Sequence, residues 1–111
     1  MPTYITQGRY TRDALKGMIV KPEDRADQVA RLISKVGGRL IGYYVTFGDY
    51  DFLAIAEAPN DVQMAAALLA AGSGGGVTDL KTTLALTSIE AKGAFAAAGD
   101  LAHSFKSAGG T

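Results

Sequence analysis

The chain contains no cysteine and only one histidine, His103. Without thiols it has neither a disulfide framework nor a thiolate nucleophile. A zinc or iron centre needs several His or Cys ligands, so no metal site and no cofactor is expected. His103 falls on the polar side of the last helical segment with Lys92, Gly99 and Lys106, a surface position, and no catalytic residue is assigned. Net charge is missing too: 11 basic and 11 acidic residues cancel. A neutral domain lacks the field that gathers phosphates, which argues against a nucleic-acid partner. No apolar run approaches the ~20 residues that span a bilayer. Met1 to Ile5 also lacks the basic and apolar regions of a signal peptide. A soluble, cytoplasmic protein without a membrane partner is expected.

What is present centres on residues 40–58. Two short runs, Leu40 to Thr46 and Phe52 to Ala56, are rich in β-branched and aromatic residues and have the length of strands. Between them, Gly48-Asp49-Tyr50-Asp51 supplies a residue free to take positive φ and two turn-forming carboxylates, so the stretch reads as a β-hairpin. Asp49 and Asp51 are read as turn formers, not as a metal pair.

The rest of the chain supplies partners for this hairpin. Thr3 to Arg9 alternates as a first strand. Thr11 caps a short helical turn over Arg12 to Lys16, which Gly17 is expected to end. Pro22 to Val36 reads as a helix with Pro22 at its first position, Gly37 beyond its end and Ala26, Val29, Ala30 and Ile33 as its buried stripe. Asn60 caps the next helix, with Gln63 three residues on. Val62, Ala65, Ala66 and Leu69 are expected as its inner stripe, leaving Met64, Ala67, Leu68 and Ala71 as an outer apolar stripe that the C-terminal segment or a partner covers. Gly72 to Gly76 reads as a linker, because a phosphate loop needs a Lys-Ser/Thr and a helix after its glycines. Val77 to Leu86 is the last strand. Thr87 and Glu90 form a capping box for a C-terminal helix with Phe95, Ala98, Leu101, Ala102 and Phe105 at helical spacing. The organisation is then a domain over residues 1–88, an amphipathic helix over 89–106 and a disordered tail over 107–111.

Strand-helix-strand-strand-helix-strand is the ferredoxin-like order: an α+β fold, βαββαβ, whose antiparallel sheet carries helices on one face. Gly48-x-Tyr50-Asp51 and the strand after it, with the opening Pro2-Thr3-Tyr4-Ile5 and Arg9-Tyr10-Thr11, resemble the GYD-domain family of small stand-alone bacterial proteins. The resemblance covers residues 2–88. The same hairpin is similar, more weakly, to the amino-acid-sensing domain of leucine-responsive regulators. Both resemblances imply a ferredoxin-like domain of the dimeric α/β-barrel type that pairs through its sheet.

On this reading Ile41, Tyr43, Val45, Leu53, Ile55, Leu84 and Leu86 lie under the helices. Thr6, Gly8, Tyr44, Thr46, Phe52, Ala54, Ala56, Thr83 and Ala85 form the open face. Exposed Phe and Tyr there point to a second copy as a cover, so the chain itself is the expected partner, as a homodimer or higher oligomer. The hairpin carboxylate has a purely structural reading, as an acceptor for nearby N–H groups. Its functional reading is a small-metabolite site at the inter-subunit cleft, formed by Thr6, Tyr44, Thr46, Gly48, Tyr50 and Asp51. The alternative is a cofactor-independent oxygenase or isomerase working in that cleft, which requires an acid or base among mainly hydroxyl groups. An RNA-binding module needs a cation and stacking aromatics on its third strand, and Phe52 to Ala56 carries one aromatic and no cation.

Overall fold

The computed structural model describes residues 1–110. The elements run β1 (Thr3–Tyr10), α1 (Arg12–Val20), α2 (Arg25–Lys35), β2 (Arg39–Val45), β3 (Phe52–Glu57), α3 (Asp61–Ser73), β4 (Val77–Ala85) and α4 (Ser88–Ala102). The strands form one antiparallel sheet in the order β2-β3-β1-β4. α2 and α3 cover one face, which completes the ferredoxin-like order, with α1 inserted after β1 and α4 appended.

The helix ends follow local chemistry. Asp24 is the N-cap of α2, its carboxylate accepting the Ala26 N–H, so the helix begins beyond Pro22. At the other end Gly37 takes φ +81°, and the Gly38 and Gly37 N–H groups donate to the Ile33 and Ser34 carbonyls, closing the helix with a paired C-terminal lock. Asn60 accepts the Gln63 N–H. Thr87 and Glu90 form the full capping box, and the bond from the Thr87 backbone N–H holds the Glu90 carboxyl below its usual range. α1 continues through Gly17 to Val20 instead of ending there. An exposed helical Gly costs only about 1 kcal/mol, and Lys21 N–H still donates to the Gly17 carbonyl. The tail expected over 107–111 ends in Thr111, which lies outside the described residues; just before it, Gly110 N–H donates to Ser107 C=O in a turn.

Register decides which side chains share a face, and here it corrects the expected facing of β1 and β3. Val45 stands opposite Phe52 and Tyr43 opposite Ala54. The connection over residues 46–51 holds an even number of residues, so from Gly42 to Val45 odd positions of β2 share a face with even positions of β3. Tyr4, Thr6, Gly8, Phe52, Ala54 and Ala56 therefore lie buried on the helix side, while Leu53 and Ile55 lie on the open side. This reverses the expectation for Thr6, Gly8, Phe52, Leu53, Ala54, Ile55 and Ala56. Tyr43, Val45 and Leu84 share the helix-side face, but Val45, Leu84 and Leu86, expected under the helices, are more than half exposed; Tyr44, Thr83 and Ala85 lie on the open face as expected. Ile41 falls at a bulge between Leu40 and Gly42.

The stripes of α3 are reversed as well. Met64 and Ala67 are buried and Leu68 and Ala71 half-buried, whereas Val62 and Leu69 face outward. Both stripes fit helical spacing equally. The buried stripe goes with an anchor at the helix start, where the Tyr4 hydroxyl donates to Asp61. The core is Tyr4, Ile33, Ala56, Ala58, Met64 and Ala67. Burying Ile33 and Met64 contributes roughly 1.5–3 kcal/mol each.

One close approach fixes the centre of the sheet. A Cβ on Gly8 would meet Phe52 Cζ at 2.6 Å and Leu80 Cδ2 at 2.7 Å. The Phe52 ring cannot retreat freely, since Tyr10 lies 5.3 Å and Tyr43 5.7 Å from its centroid. Opposite Gly8 the β1–β4 register shifts, and Asp79 there adopts φ +52°. Gly8→Ala is expected to destabilise the fold by about 1–3 kcal/mol in urea denaturation, because the overpacked ring has nowhere to go. An unchanged midpoint would show that the ring moves aside.

Candidate functional site

The Gly-Tyr-Asp loop is tied down at several points. The Asp51 N–H donates to the Gly8 carbonyl at 2.8 Å, and the Asp51 carboxylate accepts the Tyr10 N–H at 2.9 Å. The Thr46 N–H donates to the Asp51 carbonyl and its hydroxyl to the Tyr50 carbonyl. Arg9 donates from Nε to the Asp49 carbonyl and lies over the Tyr50 ring, 5.8 Å from its centroid. Gly48 holds φ +134°, a conformation that a side chain would strain. The loop thus extends β1 beyond its last pairing with β3, and Asp51 supplies the acceptor that the Tyr10 N–H would otherwise lack.

These contacts separate the six expected ligand residues. Thr46, Gly48, Tyr50 and Asp51 come together in the loop. Tyr44 stands exposed on the open face, opposite Leu53. Thr6 lies buried on the other face, its hydroxyl 2.9 Å from that of Thr82.

Thr6 belongs to a second feature that sequence reasoning missed, a cavity of about 240 Å³ between the sheet, α2 and α3. Its walls are mainly apolar, with Val29, Ile33, Ala54, Met64, Ala67 and Ala71 among them, and its polar groups include Thr6, Arg25, Gln28 and Tyr43. Tyr43 and Tyr10 share a hydrogen bond through their hydroxyls. Burial first, then that bond, pushes the Tyr43 phenol well above its ordinary value, with the nearby Arg25 charge acting the other way. The signal for the cavity was the cluster of small residues on β3 and α3. It could not be read without the register, because Thr6 and Thr82 are far apart in the chain.

Fold and loop together define a ferredoxin-like α+β domain with a clamped Gly-Tyr-Asp hairpin. The GYD domain family model matches residues 4–95, and the chain belongs to that family. The match runs past the expected boundary into the first half of α4. A relative from Thermus thermophilus, named glutamine synthetase and cystathionine beta-lyase binding protein, is 31% identical over 77 residues, covering 69% of this chain and 81% of its own. The crystal structure of TTHA0845, also from Thermus thermophilus, superposes with TM-score 0.52 at 18% identity, over 79% of this chain and 96% of that one, and supports the fold. The structure of FFRP-DM1 aligns with TM-score 0.49 and 14% identity over 78% of this chain and all of that one. Among the described residues, no helix is long and apolar enough to cross a membrane.

The Asp51 bond can be tested by itself. Asp51→Asn keeps an oxygen acceptor for the Tyr10 N–H and is expected to change stability little, whereas Asp51→Ala orphans that donor and should cost about 1 kcal/mol or more. Equal losses for the two variants in urea denaturation would mean that the carboxylate charge, not its acceptor oxygen, holds the loop.

Proposed function

We propose that this chain is a small-ligand-binding module that works as a homo-oligomer, its uncovered apolar surfaces closed by other copies of itself. The observation that carries the reading is α4. None of its residues is buried, and Ile89, Phe95 and Leu101 are 82%, 79% and 69% exposed. The helix therefore has no seat on its own domain, in keeping with a chain that measures 62 Å along its longest axis. Phe47 at the hairpin tip is 99% exposed, and half-buried Ile5, Leu53 and Ile55 line the open sheet face. Apolar surface this extensive is rare on a monomer and marks contact sites. A short helix without tertiary packing is also marginal in water.

The Thermus thermophilus relative's name supports a related reading, in which the same surfaces take another protein. An enzymatic role draws less support. The polar groups of the cavity include Thr6, Gln28, Arg25 and a Tyr43 phenol held protonated, and none of these is a ready base at neutral pH.

Removing residues 88–111 tests the assembly. Sedimentation at micromolar concentration is expected to show an oligomer for the full chain and a smaller species, or a lower melting temperature, for the truncated one. A full-length chain that sediments as a monomer would overturn the reading, and so would an oligomeric state and melting temperature that the truncation leaves unchanged.

A further inference from the structure

We infer that the cavity between α2, α3 and the sheet binds a small carboxylic acid with an apolar body, its carboxylate held at Arg25 and its body against Met64, Ala67 and Ala54. The inference rests on the reading of the chain as a ligand-binding module, and gives that module a place and a ligand class within a single protomer.

Size is the first argument. About 240 Å³ exceeds a cavity of roughly 150 Å³ that takes up benzene, so one ring with a short substituent fits. The space exists because its neighbours are small. Ala54 and Ala56 on β3 face Ala67 and Ala71 on α3, where Leu or Ile would fill the interior. A ligand seated in this partly open space would gain dispersion contacts with its apolar walls.

Polarity is the second. Arg25, the first residue of α2, lines this cavity and two further hollows. Its ion pair with Glu23 is long, 3.4 Å, and Glu23 does not line the cavity. Asp24, also nearby, already accepts the Ala26 N–H. The guanidinium therefore retains donors for a carboxylate, the group its fork geometry suits. Tyr43 lies beside it. With Tyr10 as the donor in that pair, the Tyr43 hydroxyl hydrogen is left for an acceptor in the cavity. On the floor the Thr6 hydroxyl is already paired with that of Thr82, which lies outside the lining, so the ligand body meets a satisfied group there. An apolar chamber with a few convergent donors is the usual make-up of a small-molecule site.

Phenylacetate, with its neutral methyl ester as control, tests this on the full chain by isothermal titration. Phenylacetate is expected to bind, and the ester about tenfold or more weakly, since the charge-assisted bonds to Arg25 are lost. Arg25→Gln should bring the acid down to the ester's level. Ala71→Phe, which fills the chamber from a half-exposed position, should abolish both. The methyl resonance of Met64 should move on adding phenylacetate while that of Met1 stays, a readout that needs no variant. Absence of heat at about 10 mM acid, binding that survives Ala71→Phe with Met64 unmoved, or equal affinity for acid and ester would each overturn the inference. Sedimentation of the same samples separates it from the assembly reading. An oligomer that does not bind refutes the cavity alone, and a monomer that binds refutes the assembly alone.

Discussion

The Phe52 ring resting on Gly8 is the contact on which the rest of this domain depends. Only a residue without Cβ allows it, since any side chain at position 8 would meet the ring and Leu80. The ring in turn sits between Tyr10 and Tyr43, joining β1, β2 and β3 into one aromatic layer. Across the sheet, β4 makes room by a register shift in which Asp79 takes a left-handed conformation. At the adjacent end of β1, Asp51 accepts the Tyr10 N–H and so fixes the residue that flanks the ring. The Gly-Tyr-Asp loop is, on this account, the outer brace of an internal contact.

Much of the fold was legible in the sequence because local chemistry dictates it. Asn60, Thr87 with Glu90, and Gly37 each mark a helix end through their own side chain or their freedom of φ, and each does so in the structure. The strands were readable from their β-branched and aromatic runs. Facing was not. The reading kept odd positions together across the hairpin, and a connection with an even number of residues pairs odd with even. That single parity moved Thr6 and Phe52 to the helix side and Leu53 and Ile55 to the open side. On α3 two apolar stripes met the same spacing, and the Tyr4–Asp61 bond, invisible to any local rule, accompanies the one that is buried. Of the expected ligand residues, the four in the loop were recoverable as neighbours in sequence. The separation of Tyr44 from Thr6 needed the register.

The corrected facing changes where function is sought. With Ala54, Ala56 and Thr6 turned toward the helices, the small side chains of β3 meet those of α3 and open a chamber inside the protomer. The open sheet face is left more apolar than expected, with Ile5, Leu53 and Ile55 at its centre. A partly open interior and an uncovered exterior are both costly for a small domain, and the proposed ligand and the proposed assembly each relieve one of them.

Amide hydrogen exchange along α4 tests the central claim most directly, because a helix without a partner opens freely while a docked one shares the stability of its interface. For the full chain at high micromolar concentration, the amides from Ala91 to Ala102 are predicted to exchange slowly, and faster on dilution as the assembly dissociates. Uniformly fast exchange of these amides at every concentration would contradict the account.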